Sequence, residues 1–461
     1  MFNKIIFYLS FIRFLKLLKD FEKMNAEQII KHRDKAVKKI VRFAVKHSEF
    51  YREQYKNIDV GRKFSITELP LMDKRKMVEN FDAVITKKGI KYQAIGKYFE
   101  KPFNFNNRYL DKYLAFHTSG STGNPSFVLW DSVEFGKATA AFFYKISRLL
   151  YNSFSLKDIF RKINVAYIGI LDDYVGGNSW AYAMGDLCNL KMISAFQPIT
   201  NICDELNKFQ PEVIMTKPTL LGELARRQRD KTLRINPKRI IFAGEMIQPA
   251  DAEDIRDFFA TVPYNSYSTC ETGPVALQNS EASKLKIYNE MVYLELLDEN
   301  NQPISECNQI GRIVITNLHN KVIPVIRYDI GDSAYYIREG SSYQLSPILG
   351  RTTSFFPFTD TQEKTVKIPE FLFWTIYEKG ITKYQIIQKG HSELLLRLEW
   401  DQKLFEESGI QKETSRNAII GKVKKIIGSY NNNVSVTIIA EDVAKITPNK
   451  NGKIKITEPL K

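Results

Sequence analysis

The sequence predicts an α/β protein with a large N-terminal α/β domain of several layers, a β-rich subdomain within it, and a small C-terminal α/β domain. Three observations carry this reading. Between residues 113 and 271, helix-like segments alternate with short β-rich runs, which implies largely parallel sheets. Residues 291–297 and 311–316 read as antiparallel strands closing the large domain. After Arg351, short strands and a helix occupy about a hundred residues, a normal size for a separate domain.

Taken in order, Phe7, Phe11, Phe14 and Leu18 fall at i, i+4, i+7 and i+11, so residues 1–25 read as an amphipathic helix with Arg13, Lys16 and Lys19 on another side. The run carries charges, falls short of the roughly 20 apolar residues needed to cross a bilayer, and precedes no small-residue cleavage site. Two placements fit it: packed on the body, or lying on the inner membrane face as a peripheral contact with its apolar side inward. Residues 26–56 continue as helix, with Ile29, Ile30, Val37, Ile40, Val41 and Ala44 on one face. A loop at 69–74 leads to another helix. Strands are expected at 113–117, 163–170, 213–215 and 239–242. The C-terminal part reads as strands 384–388 and 393–399, a helix near 417–427 and a strand at 434–440. The domains so drawn are 1–25, 26–350 and 351–461.

The chain has 461 residues, 44% of them hydrophobic, enough to bury substantial cores. Its four cysteines (188, 203, 270, 307) include no C-x-x-C pair, and its five histidines include no close pair at ligand spacing. Neither a disulfide scaffold nor a zinc site is indicated, and a reducing, cytoplasmic setting fits. Net charge is +15, and residues 1–60 hold 14 Lys/Arg against 7 Asp/Glu. Such a balance suits nucleic acid, an anionic membrane surface or a polyphosphorylated substrate such as ATP or CoA. No RNA-binding aromatic signature, zinc finger or recognition helix is present, so nucleic acid is set aside as a partner.

The most informative stretch is His117-Thr-Ser-Gly-Ser-Thr-Gly-Asn-Pro125. Small residues let backbone N–H groups approach an anion, and hydroxyls add donors, so Thr118, Ser119, Gly120, Ser121, Thr122 and Gly123 read as a phosphate-binding loop. No Lys follows Gly123, which disfavours a Walker A loop. Downstream stand Phe242-Ala-Gly-Glu245, Asn265-Ser-Tyr-Ser-Thr-Cys-Glu271, Arg327-Tyr-Asp-Ile-Gly-Asp332, Gly350-Arg351 and Pro448-Asn-Lys-Asn-Gly-Lys453. In this order they resemble the signatures of the adenylate-forming (AMP-binding, acyl/aryl-CoA ligase) superfamily. His117 before the loop, Glu271-Thr-Gly-Pro274, Pro324-Val-Ile-Arg-Tyr328 and Tyr384-Gln-Ile-Ile-Gln388 are similar to its phenylacetate–CoA ligase-like branch, especially capsular-polysaccharide CapK-type members.

The resemblance implies roles for particular residues. The loop would hold the β- and γ-phosphates of ATP, and Glu271 would ligate Mg²⁺, which takes hard oxygen ligands. Asp332 would accept from the ribose hydroxyls. Gly244 and Glu245 would line the adenine, Tyr267 would stack on it, and Ser268 would sit beside them. Arg351 would reach phosphate or ribose from a hinge, and Lys453 would neutralise charge at the α-phosphate on a mobile small domain that closes over the nucleotide. The carboxylate would lie near Tyr167, Gly176, Gly177 and Asn178. Departures are visible: Asn124 and Ser126 stand where many relatives carry a Lys, and Thr353 and Ser354 where an Asp is usual. Cys270 replaces a hydroxyl residue and, without a nearby His or oxyanion motif, reads as a packing residue rather than a nucleophile. The function implied is activation of a small carboxylate as acyl-AMP and transfer to an acceptor in cell-surface polysaccharide biosynthesis. The alternatives are a phenylacetate-type CoA ligase and a catalytically degenerate, membrane-associated binding protein.

Overall fold

The computed structural model describes every residue except 1–2, 63, 103, 105–106, 119–124, 156–160, 172–173, 175, 179–180, 182–184, 279–283, 341, 353, 375, 410, 448–453 and 461. The chain opens with helices α1 (Lys4–Phe21), α2 (Ala26–His47), α3 (Glu49–Gln54), α4 (Lys74–Glu79), α5 (Phe81–Val84) and α6 (Tyr92–Phe99). Strands β1 (Leu114–His117) and β2 (Phe127–Trp130) precede the long helix α7 (Ser132–Tyr151). Alternation follows: β3 (Asn164–Gly169), β4 (Asn189–Ser194), α8 (Ile199–Phe209), β5 (Val213–Thr216), α9 (Pro218–Arg229), β6 (Arg239–Phe242) and α10 (Pro249–Phe259). A β-rich stretch runs through β7 (Pro263–Thr269), β8 (Gly273–Gln278), β9 (Leu285–Ile287), β10 (Val292–Leu297), β11 (Gly311–Asn317), β12 (Tyr328–Ala334), β13 (Tyr336–Glu339) and β14 (Ser342–Leu345). The chain ends with β15 (Gly350–Arg351), β16 (Phe355–Thr359), β17 (Thr365–Pro369), β18 (Ile381–Gly390), β19 (Glu393–Trp400), α11 (Gln402–Ser408), α12 (Lys412–Tyr430), β20 (Thr437–Asp442) and β21 (Thr457–Glu458). The fold is mixed α/β, as the alternation of patterns implies.

Two compact units form. The first comprises Met1–Ser194, Pro211–Met215 and Tyr264–Ile348, and the second Ala195–Gln210, Thr216–Pro263 and Leu349–Lys461. A cut drawn from consecutive residues falls at 350, whereas the second unit also takes α8 to α10 and β6. Charge pairing explains part of this: the Arg226 guanidinium of α9 donates to Asp251 (3.1 Å) and Asp254 (2.8 Å) of α10, and Arg229 donates to Asp401 (2.7 Å) after β19. Partners 25 to 172 residues apart leave no local pattern.

In the first unit β3 pairs in parallel with both β4 and β5, so this sheet runs β4-β3-β5. Strands β7, β8, β9, β14 and β13 pair successively and antiparallel, and β10, β11 and β12 form a second antiparallel set. In the second unit β18 and β19 pair antiparallel, flanked in parallel by β21 and β20. Ile419, Val423 and Ile427 of α12 pack with Phe356, Leu394 and Leu396 in the core of this unit.

Helix α1 lies along α7. Phe7, Phe11, Phe14 and Leu18 are all buried, with Phe11 5.7 Å from the Phe143 ring and Phe14 edge-on to His319. Burying side chains of this size is worth roughly 1.5–3 kcal/mol each. Ser10 Oγ donates to the Val133 carbonyl (2.7 Å), and Asn3 N–H donates to Ser132 Oγ (2.9 Å). Of the two placements open to this face, packing on the body is therefore the one adopted. The single helix expected over 26–56 breaks at Ser48, whose fully buried hydroxyl caps α3 and donates to the Ala83 carbonyl (2.8 Å). Ile30, expected on the inner face, is 48% exposed.

Close approach of α1 to α7 requires Gly136, since a Cβ there would lie 2.6 Å from the Phe7 carbonyl oxygen. Gly136→Ala should cost about 1–3 kcal/mol through forced separation of the helices, read as a lower midpoint in urea unfolding. His319 supplies a pH-dependent term. Its Nε2 carries the hydrogen donated to the Glu290 carbonyl (2.8 Å), and burial, with Lys137 nearby, pushes the imidazole down to about 3. The unfolded chain then binds the proton first, so this stability is complete above the unfolded value and lost as pH falls toward about 3. In His319→Gln the fall of stability with acid should be shallower by up to about 1.4 kcal/mol per pH unit, measured by urea unfolding at a series of pH values.

Candidate active site

The Ser/Thr/Gly loop springs from a hairpin. β1 and β2 pair antiparallel, ending at His117 opposite Phe127. Thr118 and Ser126 extend the pairing: Thr118 N–H donates to the Ser126 carbonyl (3.0 Å), and Ser126 N–H donates to Thr118 Oγ1 (3.0 Å). These bonds extend the β1–β2 pairing by one residue pair. The hydroxyl of Thr118, expected to hold phosphate, thus also accepts within this pair. Ser119, Gly120, Ser121, Thr122 and Gly123 lie outside the described residues.

A second hairpin presents Glu271. Thr269 pairs with Gly273, whose φ of +75° is a left-handed value that a Cβ would strain. Between them Thr272 N–H donates to Thr269 Oγ1 (3.2 Å), and the Asn317 amide donates to the Thr272 carbonyl (3.0 Å). Glu271 is thereby fixed at the tip. Ser268, beside a bulge in the β7–β8 register, is exposed.

Strand β12 meets this hairpin through two side-chain bonds. The Tyr328 hydroxyl donates to Glu271 Oε1 (3.3 Å), and the Tyr267 hydroxyl donates to Asp332 Oδ2 (2.8 Å). The hairpin and β12 each contribute two residues four apart, in opposite order. Burial and the charge of Glu271 push the Tyr328 phenol far above its usual value, so it remains a neutral donor. Four residues singled out in two separate motifs are tied together. Tyr267, expected as a stacking ring, also bonds through its hydroxyl the carboxylate expected to hold ribose.

Arg327 was not singled out in the sequence as a site residue. Its buried guanidinium donates to both carboxylate oxygens of Glu295 (3.2 and 3.0 Å) and to the carbonyls of Thr67 (3.1 Å) and Leu69 (2.6 Å). It positions Tyr328 rather than facing a ligand. An Arg within an apolar run was the available signal, but Glu295 lies 32 residues away.

Tyr167 lies between two glycines: a Cβ on Gly169 would come within 2.7 Å of its ring, and one on Gly177 within 2.6 Å of its hydroxyl. That hydroxyl donates to Asn178 Oδ1 (3.2 Å), and the Asn178 amide donates to the Ile170 carbonyl. A Cβ on Gly176 would sit 3.6 Å from Cys270 Sγ, whose thiol points at the His117 carbonyl (3.9 Å). The residues expected to line the carboxylate therefore adjoin both the Glu271 hairpin and the base of the loop. Cys270 has the contacts of a packing residue.

The remaining expected residues belong to the second unit. Gly244 has a φ of +82° with open space where a Cβ would stand. Glu245 accepts from Thr219 Oγ1 (2.9 Å) and lies 3.8 Å from the Lys217 ammonium. Arg351 is exposed and follows Gly350, where the Trp374 ring would be 2.4 Å from any Cβ. Lys453 lies outside the described residues. Among the described residues no group of three or more His, Cys, Asp or Glu could hold a metal ion. Glu271 is a single hard ligand and fits Mg²⁺ only when a nucleotide's phosphates supply further oxygens.

No family model matches the chain. Protein CapK of Staphylococcus aureus is 25% identical over 412 residues, covering 82% of this chain and 78% of that protein. A fumarate–(S)-2,3-diaminopropanoate ligase of Enterobacter agglomerans is 26% identical over 155 residues, 32% of this chain and 38% of that enzyme. The solved structure of a 2-hydroxyisobutyryl-CoA ligase, in its postadenylation state with an acyl-AMP, superposes with a TM-score of 0.70 at 17% identity, covering 95% of this chain and 90% of the other. The chain is thus similar in sequence to CapK and shares its fold with an adenylate-forming CoA ligase. The shared architecture extends over nearly the whole length.

The motif likeness implies that Asp332 would accept from the ribose of AMP, and titration with AMP tests this. Asp332→Ala should weaken AMP binding about tenfold or more in isothermal titration, as expected for loss of a bond to a charged acceptor. Tyr267→Phe, which keeps that carboxylate but frees it, should weaken binding severalfold at most.

Proposed function

We propose that this chain is an AMP-forming ligase that activates a small carboxylate with ATP and transfers the acyl group to an amine or hydroxyl of a cell-surface polysaccharide precursor. The observation that carries the activation step is the pairing of Tyr328 with Glu271 and of Tyr267 with Asp332. It brings a metal-type carboxylate and a ribose-type carboxylate to one hairpin, beside the neck of the phosphate-type loop.

In this reading a carboxylate oxygen attacks the α-phosphorus of ATP, the bond to the bridging oxygen breaks, and pyrophosphate leaves. Negative charge spreads over phosphate oxygens, so the protein contributes mostly position and electrostatic stabilisation. Backbone N–H groups and hydroxyls of 118–123 hold the β- and γ-phosphates. Glu271, its carboxylate oriented by Tyr328, would hold Mg²⁺, which would supply neutralisation of phosphate charge. Asp332 accepts from the ribose. Gly244 leaves backbone open to the base, Arg351 and Lys453 supply positive charge, and Tyr167 with Asn178 lines the carboxylate site.

The CapK likeness over most of the chain supports the polysaccharide setting, and the fumarate–diaminopropanoate ligase supports an amine as acceptor. The 2-hydroxyisobutyryl-CoA ligase shares the fold, which makes CoA the second acceptor to test.

Carboxylate-dependent exchange of labelled pyrophosphate into ATP tests the activation step. The protein should support exchange with AMP as the product of turnover, and ADP would rule the mechanism out. Glu271→Gln should lower exchange about a hundredfold or more without lowering the melting temperature, because it removes charge stabilisation in the reacting complex. Lys453→Ala should impair exchange far more than transfer from a supplied acyl-adenylate, while Lys455→Ala should do little. Absence of exchange across a broad carboxylate panel would favour the degenerate binding protein instead.

A further inference from the structure

Helix α1 is apolar on two sides. With Phe7, Phe11, Phe14 and Leu18 committed to α7, the opposite side of the first turns carries Ile5, Ile6, Leu9 and Ile12, exposed by 72, 43, 51 and 54%. Val133, at the start of α7, adds a fifth aliphatic side chain beside them. Among the described residues these five make up nearly half of the twelve large hydrophobic side chains left exposed, and they are gathered in one place. A concentration of that kind marks an interaction surface, whereas scattered single residues do not.

We infer that this outer face of α1 seats the protein on an anionic lipid surface, with the helix lying flat in the interface. Charge argues for lipid over another occupant. Arg13 and Lys16 are exposed on the same side one to two turns further along, and Lys137 lines the shallow groove, about 420 Å³, between Leu9, Arg13 and Val133. Residues 4–21 carry Lys4, Arg13, Lys16 and Lys19 against a single acid, Asp20, within a chain of net charge +15. Aliphatic side chains can enter the acyl boundary while long basic side chains stretch to the headgroups. No helix among the described residues is long and apolar enough to cross a membrane, which leaves lying on the surface as the mode of contact.

The helix is also held rigidly for this purpose. Asn3 caps it by accepting from Ile6 N–H (3.1 Å), the Tyr8 hydroxyl donates to Asp186 (2.7 Å), and the Lys4 ammonium lies 3.3 Å from the same carboxylate. A face held by the body in this way loses little conformational entropy on docking.

Co-sedimentation with vesicles tests the inference without reference to catalysis. The full chain should bind vesicles of equimolar phosphatidylglycerol and phosphatidylcholine, bind phosphatidylcholine alone far less, and release as salt rises. The triple variant Ile5→Ser, Leu9→Ser, Ile12→Ser should partition about tenfold more weakly, with unchanged melting temperature and pyrophosphate exchange. Should the triple variant lose stability, the double variant Arg13→Glu, Lys16→Glu on an intact apolar face should show the same loss on anionic vesicles. Failure of the unaltered protein to bind anionic vesicles overturns the inference, as does retention of full binding by both variants. A dimer of the unaltered protein that the triple variant converts to monomer, with no vesicle binding, would assign the face to a second copy and overturn it too.

Discussion

The candidate site hangs on a buried guanidinium. Arg327 sits at the entry to β12 with a φ of +46°, its fork shared between Glu295 on β10 and two carbonyls of the 67–69 segment. Burial raises the Glu295 carboxyl even with Arg327 beside it, so desolvation offsets much of the attraction. What the arrangement secures is geometry. Losing one partner would leave a buried charge uncompensated, at about 3–5 kcal/mol, and the start of β12 is held correspondingly firmly. With that start held, Met72 N–H bonds the Arg327 carbonyl (2.9 Å), Tyr328 reaches Glu271, and four residues on Asp332 reaches Tyr267.

Helix α1 shows how one segment can satisfy two demands. Its inner face is committed to α7 by aromatic packing and by a glycine that lets the backbones touch. Its outer face keeps aliphatic side chains next to arginine and lysine. The same helix thus joins the core of the first unit and offers a surface outside it.

In the second unit, charge organises helices that hydrophobic pattern alone would leave undefined. Arg226 bridges α9 to α10, and Gly222 permits the approach, because a Cβ there would lie 1.8 Å from an Asp251 carboxylate oxygen. Complete burial pushes Asp251 up to about 6 even against the pull of Arg226. Lys403 pairs with Asp230 (3.1 Å) and Arg229 with Asp401, so residues far apart in the chain share one set of ion pairs. Such pairs tie α10 to α9, and the end of α9 to the segment that follows β19.

Much of the fold was legible in the sequence because it is written in local periodicity. Short β-rich runs mark the strands at 164–169, 213–216, 239–242 and 292–297, and the helix read near 417–427 extends over 412–430. The ordered motifs around Glu271, Asp332 and Gly350 pointed to nucleotide chemistry through their resemblance to the signatures of a known superfamily. Other features were decided only by tertiary structure. Ser48 ends α2 because its hydroxyl finds the Ala83 carbonyl 35 residues away. Tyr267 bonds rather than exposes its hydroxyl because Asp332 arrives 65 residues later in the chain. The Phe7 face of α1 turns inward because α7 supplies an aromatic surface that fits it. Sequence determines which side chains are available at each period, but a partner's identity depends on which distant backbone is brought within about 3 Å, and hydrogen bonds and close packing act only at that range.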